Sequence, residues 1–281
     1  MKNGRPLALA VLLLLAAALP ARAQAEDPEI EPDRPDVTDS THVVPPGLVQ
    51  VEFGALFLRN APGQTGATSP FTFRVGVFDW LEARIGADGL ASVNGSDPSG
   101  TGFGNVQLGA KLRLWAQPGG PPVLSILPNV NVPTGDSQKG LGTGDADFTL
   151  ALLTGTDFHE RGHIDVNYGI GAIGGGAGRP HYLQHLVSAS LSAAVTGRFN
   201  PYVEVFWFSR TDINGAAETA MDTGIIYELG ARYAFDAGVQ WGVSGPASDF
   251  GVFAGLTVIV GGDHGLNGRQ RSVKAPPAKR R

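Results

Sequence analysis

The sequence predicts an all-β fold, a transmembrane antiparallel up-and-down β-barrel of about twelve strands. Apolar and polar residues alternate with a period of two over repeated segments of roughly 9–13 residues, the length that a tilted membrane strand needs. Short and long connections also alternate along the chain, as they do in barrels with tight turns at one rim and loops at the other. Glycine is abundant, with 40 residues in 281, and charged residues make up 17%. Dispersed apolar residues of this kind indicate strands.

The first 23 residues have the features of a signal peptide. Lys2 and Arg5 give a positive start, the stretch from Leu7 to Leu19 is almost wholly apolar, and Ala21-Arg22-Ala23 matches the small-x-small cleavage pattern. The apolar run is shorter than the roughly 18–20 residues that span a bilayer as a helix. An uncleaved amphipathic anchor is the alternative. We therefore expect an exported bacterial chain that starts near Gln24 and is located in the outer membrane.

Composition excludes several classes of function. The full sequence has 26 acidic residues against 21 Lys and Arg, which argues against nucleic acid as a partner because phosphate binding needs a basic surface. There is no cysteine, so neither a disulfide framework nor a thiolate metal site can form. We expect no cofactor and no metal.

The predicted strands follow one another along most of the chain. On one face of each segment the residues are apolar, and on the other they are polar, glycine or charged. His185 is an exception on the apolar face, as are Phe253 and Ile259 on the polar face of the closing strand. The alternating segments are 49–57, 71–77, 81–88, 106–114, 147–152, 164–171, 183–195, 203–207, 224–228, 235–243 and 249–260.

The connections provide independent support for a membrane barrel. Short ones lie at 79–80, 117–121, 157–161, 197–198 and 230–231. Longer ones, rich in Gly, Ser, Asn and Asp, lie at 60–68, 91–103, 133–144, 174–180 and 209–220, while 244–248 is short for its side. A soluble β-sandwich or lipocalin-like barrel would also alternate, but it has no reason to place long loops at one end only. An even strand number puts both termini in the periplasm.

The chain therefore divides into four parts. These are a signal peptide at 1–23, an extended Pro-rich and acidic segment at 24–46, an outer-membrane barrel at 47–260 and a disordered basic tail at 261–281. The segment at 24–46 is long and acidic enough to plug the lumen, which is a hypothesis at this point.

Several ordered motifs resemble those of a known family. They are DRPDVTDS at 33–40, VPPG at 44–47, VQVEFG at 49–54, VFDWLEARIG at 77–86, NVQLGAKLRL at 105–114, LPNVNVPTGD at 127–136, PYVEVFW at 201–207 and DAGVQWGVSGPASDFGVFAGL at 236–256. Together they resemble the outer-membrane family assigned to the meta pathway of phenol degradation, whose members are often called transporters. The resemblance implies an outer-membrane barrel that transports a small, hydrophobic or aromatic solute. It carries over no functional residue, because the motifs look like turns and lumen positions.

The end of the predicted barrel departs from the usual pattern. Outer-membrane barrels commonly end on an aromatic residue that the barrel-insertion machinery recognises, whereas here the last strand fades at Val258-Ile259-Val260. The partners that we expect are outer-membrane lipid, that machinery and an unidentified small solute.

Local motifs that could carry chemistry lack the necessary context. GIGAIG at 169–174 matches a dinucleotide fingerprint, but its glycines lie inside an alternating strand with no following helix. His181 and His185 are about 13 Å apart on a strand, too far to share a metal ion. His159 and His163 flank a short turn, where a surface role is favoured.

A lipid hydrolase needs serine and histidine within hydrogen-bond reach. His185 and Ser188 lie on opposite faces of their predicted strand, so we expect no catalytic residue and no enzyme. A structural barrel without a conducting path and, less favoured, a lipid-modifying hydrolase remain the alternatives to a channel for passive uptake.

The candidate site is the lumen. Nine charged residues are predicted to project inward, where they either form a rigid mixed-charge network or line a selective path. These lumen candidates are Glu52, Arg74, Glu82, Arg84, Lys111, Arg113, Asp165, Glu204 and Glu228.

Overall fold

The structure is a computed structural model that describes residues 30–34, 37–60, 63–116, 122–159 and 161–261. The predicted signal peptide, the start of the predicted N-terminal segment and the predicted tail beyond Gly261 lie outside the described residues. In the described ranges, no helix is long and apolar enough to cross a membrane.

Fifteen strands and one short 3₁₀ helix form the described chain. The strands are β1 (Leu48–Asn60), β2 (Gln64–Thr68), β3 (Phe71–Phe78), β4 (Leu81–Ala87), β5 (Leu90–Asn94), β6 (Gly100–Phe103), β7 (Val106–Trp115), β8 (Val123–Val132), β9 (Asp147–Phe158), β10 (Gly162–Ile173), β11 (Tyr182–Ala193), β12 (Phe199–Phe208), β13 (Glu218–Gly230), β14 (Tyr233–Ser244) and β15 (Phe250–Gly261). The 3₁₀ helix, Ser137–Lys139, lies in the connection between β8 and β9.

The strands form one closed antiparallel barrel. The sheet order is β15-β14-β13-β12-β11-β10-β9-β8-β7-β4-β3-β1-β2-β5-β6, and β1 also pairs with β15 in antiparallel register from Leu48↔Gly261 to Arg59↔Phe250. Residues 56–60 of β1 pair with β2, and residues 49–53 pair with β3. β2 and β3 therefore form one interrupted wall strand. In the same way, β4 and β5 together form a second interrupted wall strand, and β6 and β7 together form a third. The wall therefore has twelve strands, which confirms the predicted fold.

Two predicted loops contain strands instead. The connections at 60–68 and 91–103 include β2, β5 and β6, which extend the barrel beyond the breaks in those wall strands. Their sequences, QTGAT, LASVN and GTGF, are four or five residues long and mostly small, too short to show a sustained alternation. β8 is also absent from the predicted strands, because Leu127 and Pro128 interrupt its alternation. These elements are formed by backbone pairing to a neighbour, which periodicity does not report.

The two faces of the wall have opposite character. Outward residues are large, apolar and exposed: Phe73 is 42% exposed and Leu150 45%. Inward residues on the same strands are polar and buried, and Arg74, Glu82 and Lys111 have no exposed surface. This is the distribution of a membrane barrel with a lipid-facing exterior and a polar interior.

The N-terminal segment lies inside the barrel. Ile30 and Val44, near its two described ends, pack with Leu48, Ala234 and Ile259 in one buried apolar cluster, with Ile226 against it. These wall residues are at the rim of tight turns, which we assign to the periplasm. The described residues between them contact wall side chains further from this rim. Both described ends of the segment therefore lie at the same rim, with the intervening residues deeper in the lumen. The cluster also explains Ile259, whose apolar side chain faces inward because the segment covers it.

Candidate functional site in the barrel lumen

Arg74 on β3 is the centre of a buried ionic network. Its Nε and Nη2 donate to the two carboxylate oxygens of Glu82 at 2.8 and 3.0 Å, and its Nη1 donates to Glu52 at 2.9 Å. The same Nη1 is 3.2 Å from Asp33 of the N-terminal segment. The guanidinium also donates to the carbonyl oxygens of Glu31 and His42. A planar guanidinium with two-point contacts fixes geometry as well as charge.

Asp33 lies between three cations. Its carboxylate accepts from Lys111 Nζ at 2.6 Å and is 3.1 Å from Arg84 and 3.2 Å from Arg74. Burial alone would raise the pKa of Asp33, but the three cations hold it well below its ordinary value. Asp39 pairs with Arg84 at 2.9 Å. The segment therefore carries carboxylates against the basic side of the lumen.

The opposite side of the lumen is acidic. Glu204 on β12 accepts hydrogen bonds from the backbone N–H groups of Val37 and Thr38 and from the Thr38 hydroxyl. Asp222 on β13 is the direct cross-strand neighbour of Glu204 and is also buried. Asp236 on β14 is 3.8 Å from the guanidinium of Arg34. On this side the segment presents backbone N–H groups and the guanidinium of Arg34 to the acidic wall. The segment therefore places donors against the acidic side of the lumen and carboxylates against the basic side.

Three further wall side chains bind the backbone of the segment. Glu82 accepts from the N–H of Val44 at 2.9 Å, Ser125 donates to the carbonyl of Thr41 at 3.1 Å, and Asn167 donates to the carbonyl of Asp39 at 3.1 Å. Together with β3, β7, β12 and β14, the strands that contact the segment are distributed around the barrel. A segment that contacts all of them occupies the cross-section of the lumen.

Glycines on the inner wall make room for the segment. Gly54 and Gly255 are paired across β1 and β15, and a Cβ at either would overlap the side chain of Arg34. At Gly76 on β3, a Cβ would overlap the backbone carbonyls of Val44 and Pro45. The inner face of these strands therefore has the shape of the chain that lies against it.

A polar cavity of about 220 Å³ lies in the lumen on the loop side of the segment. Asp33, Arg34 and Asp39 form its floor, and wall strands β1, β3, β4, β7 and β8 form its sides. The wall residues are Glu52, Pro70, Thr72, Arg84, Gly86, Gln107, Gly109, Leu127 and Asn129. Because the inward-facing Gln107 is exposed, the cavity is open to solvent.

The nine predicted lumen residues divide into two groups. Six bind or surround the segment: Glu52, Arg74, Glu82, Arg84, Lys111 and Glu204. Three lie towards the turn rim: Arg113 donates to the carbonyl of Asp79, Asp165 is 3.0 Å from His163, and Glu228 accepts from Asn200. The structure thus brings six together and leaves three apart.

Sequence reasoning missed the residues that complete this network. Asp33, Arg34 and Asp39 come from an aperiodic segment with no predicted register, although the motif at 33–40 contained them. Asp222 and Asp236 are inward-facing carboxylates on strands that the alternation already identified. Asp236 could have been found as the lone acidic residue of its strand, whereas Asp222 shares β13 with Glu218 and Glu228.

The other candidates do not assemble a reactive site. His185 faces outward and contacts the Tyr168 hydroxyl at 2.9 Å, whereas Ser188 is buried on the inner face. His163 lies between Asp157 and Asp165 at the turn rim. Within the described part of the chain, no group of three or more His, Asp or Glu side chains could hold a metal ion.

Comparison with known proteins places this architecture among outer-membrane barrels. The family model described as "MetA-pathway of phenol degradation" matches residues 32–259. An outer membrane channel from Pseudomonas putida F1 is similar in structure, with a TM-score of 0.62 and 14% identity over 83% of this chain and 100% of that chain. The NanC porin is also similar, with a TM-score of 0.53 and 8% identity over 75% of this chain and 98% of that chain. No curated protein sequence matches the chain. The shared fold places the protein in the bacterial outer membrane.

Proposed function

The chain belongs to the family described as the MetA pathway of phenol degradation, and from that premise we propose that it is a channel for passive passage of small solutes rather than an enzyme. The observation that carries the proposal is the lumen itself. It is polar, it runs through the inside of an outer-membrane barrel, and it is filled by a segment whose described residues form no strand pairing with the wall. A filling held by side-chain contacts instead of strand pairing is able to move, which a gated channel requires.

The N-terminal segment is proposed to be the plug. It is held by ion pairs and hydrogen bonds to Arg74, Lys111 and Glu204, and by one small apolar cluster at the turn rim. These contacts are polar, so the groups that the segment leaves can bind water once water enters the lumen. We propose that movement of this segment opens the path.

The proposed solute is small, and by family membership aromatic. The polar inner wall favours members of that class with hydrogen-bonding groups over pure hydrocarbons, because an apolar solute would leave those groups unpaired. Passage through an outer-membrane channel is downhill and needs no cofactor. Insertion is proposed to use the barrel-insertion machinery despite the missing terminal aromatic residue.

Single-channel conductance in a planar bilayer tests the proposal. We expect the mature chain to give small or infrequent steps and the chain lacking residues 25–41 to give larger, longer-lived ones. Asp33→Ala should shift the mature chain towards the deletion, since it removes the partner of Lys111, Arg74 and Arg84. Asp249→Ala, at an exposed loop position, is the matched control.

Three outcomes are informative. Larger steps on deletion support both the channel and the plug. Equal steps from both proteins would support the channel and exclude the plug. If neither protein conducts although both show the heat-dependent gel shift of a folded barrel, the structural-barrel alternative would be favoured.

A further inference from the structure

We propose that the lumenal cavity is a binding site for an uncharged solute of single-ring size that carries two or more hydroxyl groups. This inference rests on the proposed channel function and names the class of solute that the path recognises. The cavity lies between the loop rim and the segment, so a solute entering from outside meets it before the obstruction.

Unoccupied hydrogen-bonding groups line the cavity. Thr72, Gln107 and Asn129 project inward from β3, β7 and β8, and among the described residues their side chains have no hydrogen-bond partner. An amide both donates and accepts, and a hydroxyl does the same. These three side chains therefore match a ligand whose own groups both donate and accept, as hydroxyl groups do.

The carboxylates around the cavity are already paired. Asp33 and Asp39 contact Arg84, and Glu52 binds Arg74 and the N–H groups of the segment. An anion would meet these three carboxylates, and a cation would meet the guanidinium groups of Arg34 and Arg84. Neither sign is favoured, so a neutral ligand fits better than an ion.

The apolar surface of the cavity is small. Leu127 and Pro70 are its only large apolar side chains, so a hydrocarbon ring could bind only by leaving the polar groups unpaired. Its volume of about 220 Å³ is below the roughly 300–1,000 Å³ of pockets for drug-sized ligands. A single ring that carries hydroxyl groups is small enough for this volume and can form hydrogen bonds with the polar groups of the cavity.

Glycine gives the amide groups their positions. A Cβ at Gly109 would overlap Asn129 Oδ1, and a Cβ at Gly86 would come within 3.2 Å of Thr72 Oγ1 and 3.7 Å of Gln107 Oε1. The absence of a side chain at Gly109 therefore leaves space for the Asn129 amide, and its absence at Gly86 leaves space beside the Thr72 hydroxyl.

Calorimetric titration of the full mature chain in detergent tests the inference. The neutral probes are catechol, an aromatic diol, and glucose, a polyol; benzoate and benzylamine are the charged probes. We expect at least one neutral probe to bind more tightly than both charged ones. Its affinity should fall at least tenfold in Gln107→Leu and in Asn129→Leu. The matched control is Gln138→Leu, which removes an exposed amide outside the cavity.

The two neutral probes distinguish the source of the hydroxyl groups. Binding of catechol alone indicates an aromatic diol, and binding of glucose alone indicates a polyol. Three results would overturn the inference. They are tighter binding of a charged probe than of both neutral probes, failure of both catechol and glucose to bind, and equal affinity in wild type and the two cavity variants. Conductance is measured separately in the chain lacking residues 25–41. Failure of the channel proposal would therefore be seen there and not in the titration.

Discussion

At the scale of single residues, the lumen depends on buried charges that compensate one another. Arg74 has no exposed surface and contacts Glu52, Glu82 and Asp33. Removing one partner from such a group leaves the others buried without compensation, which commonly costs about 3–5 kcal/mol. We expect Arg74→Met to lower the free energy of unfolding by that amount, measured by urea unfolding in lipid vesicles.

The control for this substitution is Arg59→Met, which removes an arginine at an exposed position near the loop end of β1. It should change the unfolding free energy by less than about 0.5 kcal/mol. Equal effects at the two positions would mean that the ionic network contributes nothing specific.

Gly76 gives a second prediction at the same scale. A Cβ there would overlap backbone carbonyl groups of the segment, which cannot move aside as a side chain can. We expect Gly76→Ala to destabilise the plugged state by about 1–3 kcal/mol and to lower the temperature at which the folded gel band is lost. At Gly66 a Cβ would meet no atom within 4 Å, so Gly66→Ala should leave that temperature unchanged. A similar drop in both variants would contradict the steric argument.

Residue by residue, the sequence predicts the wall better than its filling. Glu52, Lys111 and Glu204 could be assigned inward because strand alternation fixes which face each residue occupies. Their partners could not be assigned, because the segment at 30–46 follows no period and its contacts depend on tertiary structure alone. Asp33 could be found as a charged residue, but not as the partner of Lys111.

At the scale of elements, we expect the proposed plug to be sensitive to acid through His42. Burial, with the nearby charges of Arg74 and Lys111, lowers the pKa of His42 to about 4 in the plugged state, while Asp33 and Glu82 oppose this. A released His42 keeps a pKa of about 6.5. The released state therefore binds the proton more tightly, so plugging weakens as the pH falls from about 6.5 towards 4.

We expect the conductance of the mature chain to rise between pH 7 and pH 5 more than that of His42→Gln. The shift in the plugging equilibrium due to His42 is on the order of tenfold. Burial raises the pKa of Asp39, which favours plugging in acid, so the difference between the two proteins isolates His42. Identical pH profiles would show that His42 does not titrate with plugging.

The sequence predicts a strand where alternating apolar and polar side chains distinguish the two faces of that strand. β1, β7 and β10 show regular alternation and were expected. β2, β5 and β6 were predicted as loops because they are only four or five residues long and mostly small, too short to show alternation. Their pairing extends wall strands that are already formed, and a neighbouring strand is the information that a single segment lacks.

At the scale of the whole molecule, the outer surface predicts how the barrel meets lipid. The four tryptophans face outward, with Trp80 and Trp115 towards the turn rim and Trp207 and Trp241 towards the loop rim. Tryptophan prefers the two membrane interfaces. We expect lipids brominated near the headgroup to quench the fluorescence more strongly than lipids brominated near the chain end. Equal quenching by shallow and deep bromine would place the tryptophans elsewhere.

The global architecture was the most predictable level, since strand length, alternation and loop asymmetry all describe a closed membrane barrel. The apparent errors of the closing strand have a physical cause. Ile259 faces the lumen because the N-terminal segment covers it, and Phe253 is buried inside against Gly238. Apolar residues on a lumenal face thus mark where the interior is not water-filled.

The N-terminal segment is covalently linked to β1, and this link sets the effective concentration of the segment at its own binding surface. Only Pro45, Pro46 and Gly47 separate the apolar cluster residue Val44 from Leu48, so a displaced segment stays within a small volume around its own binding surface. Short tethers give effective concentrations in the millimolar range. A free peptide of the same sequence would need a comparable concentration to compete. If the segment acts as the proposed plug, its rebinding is intramolecular, so we expect the fraction of open channels not to depend on protein abundance.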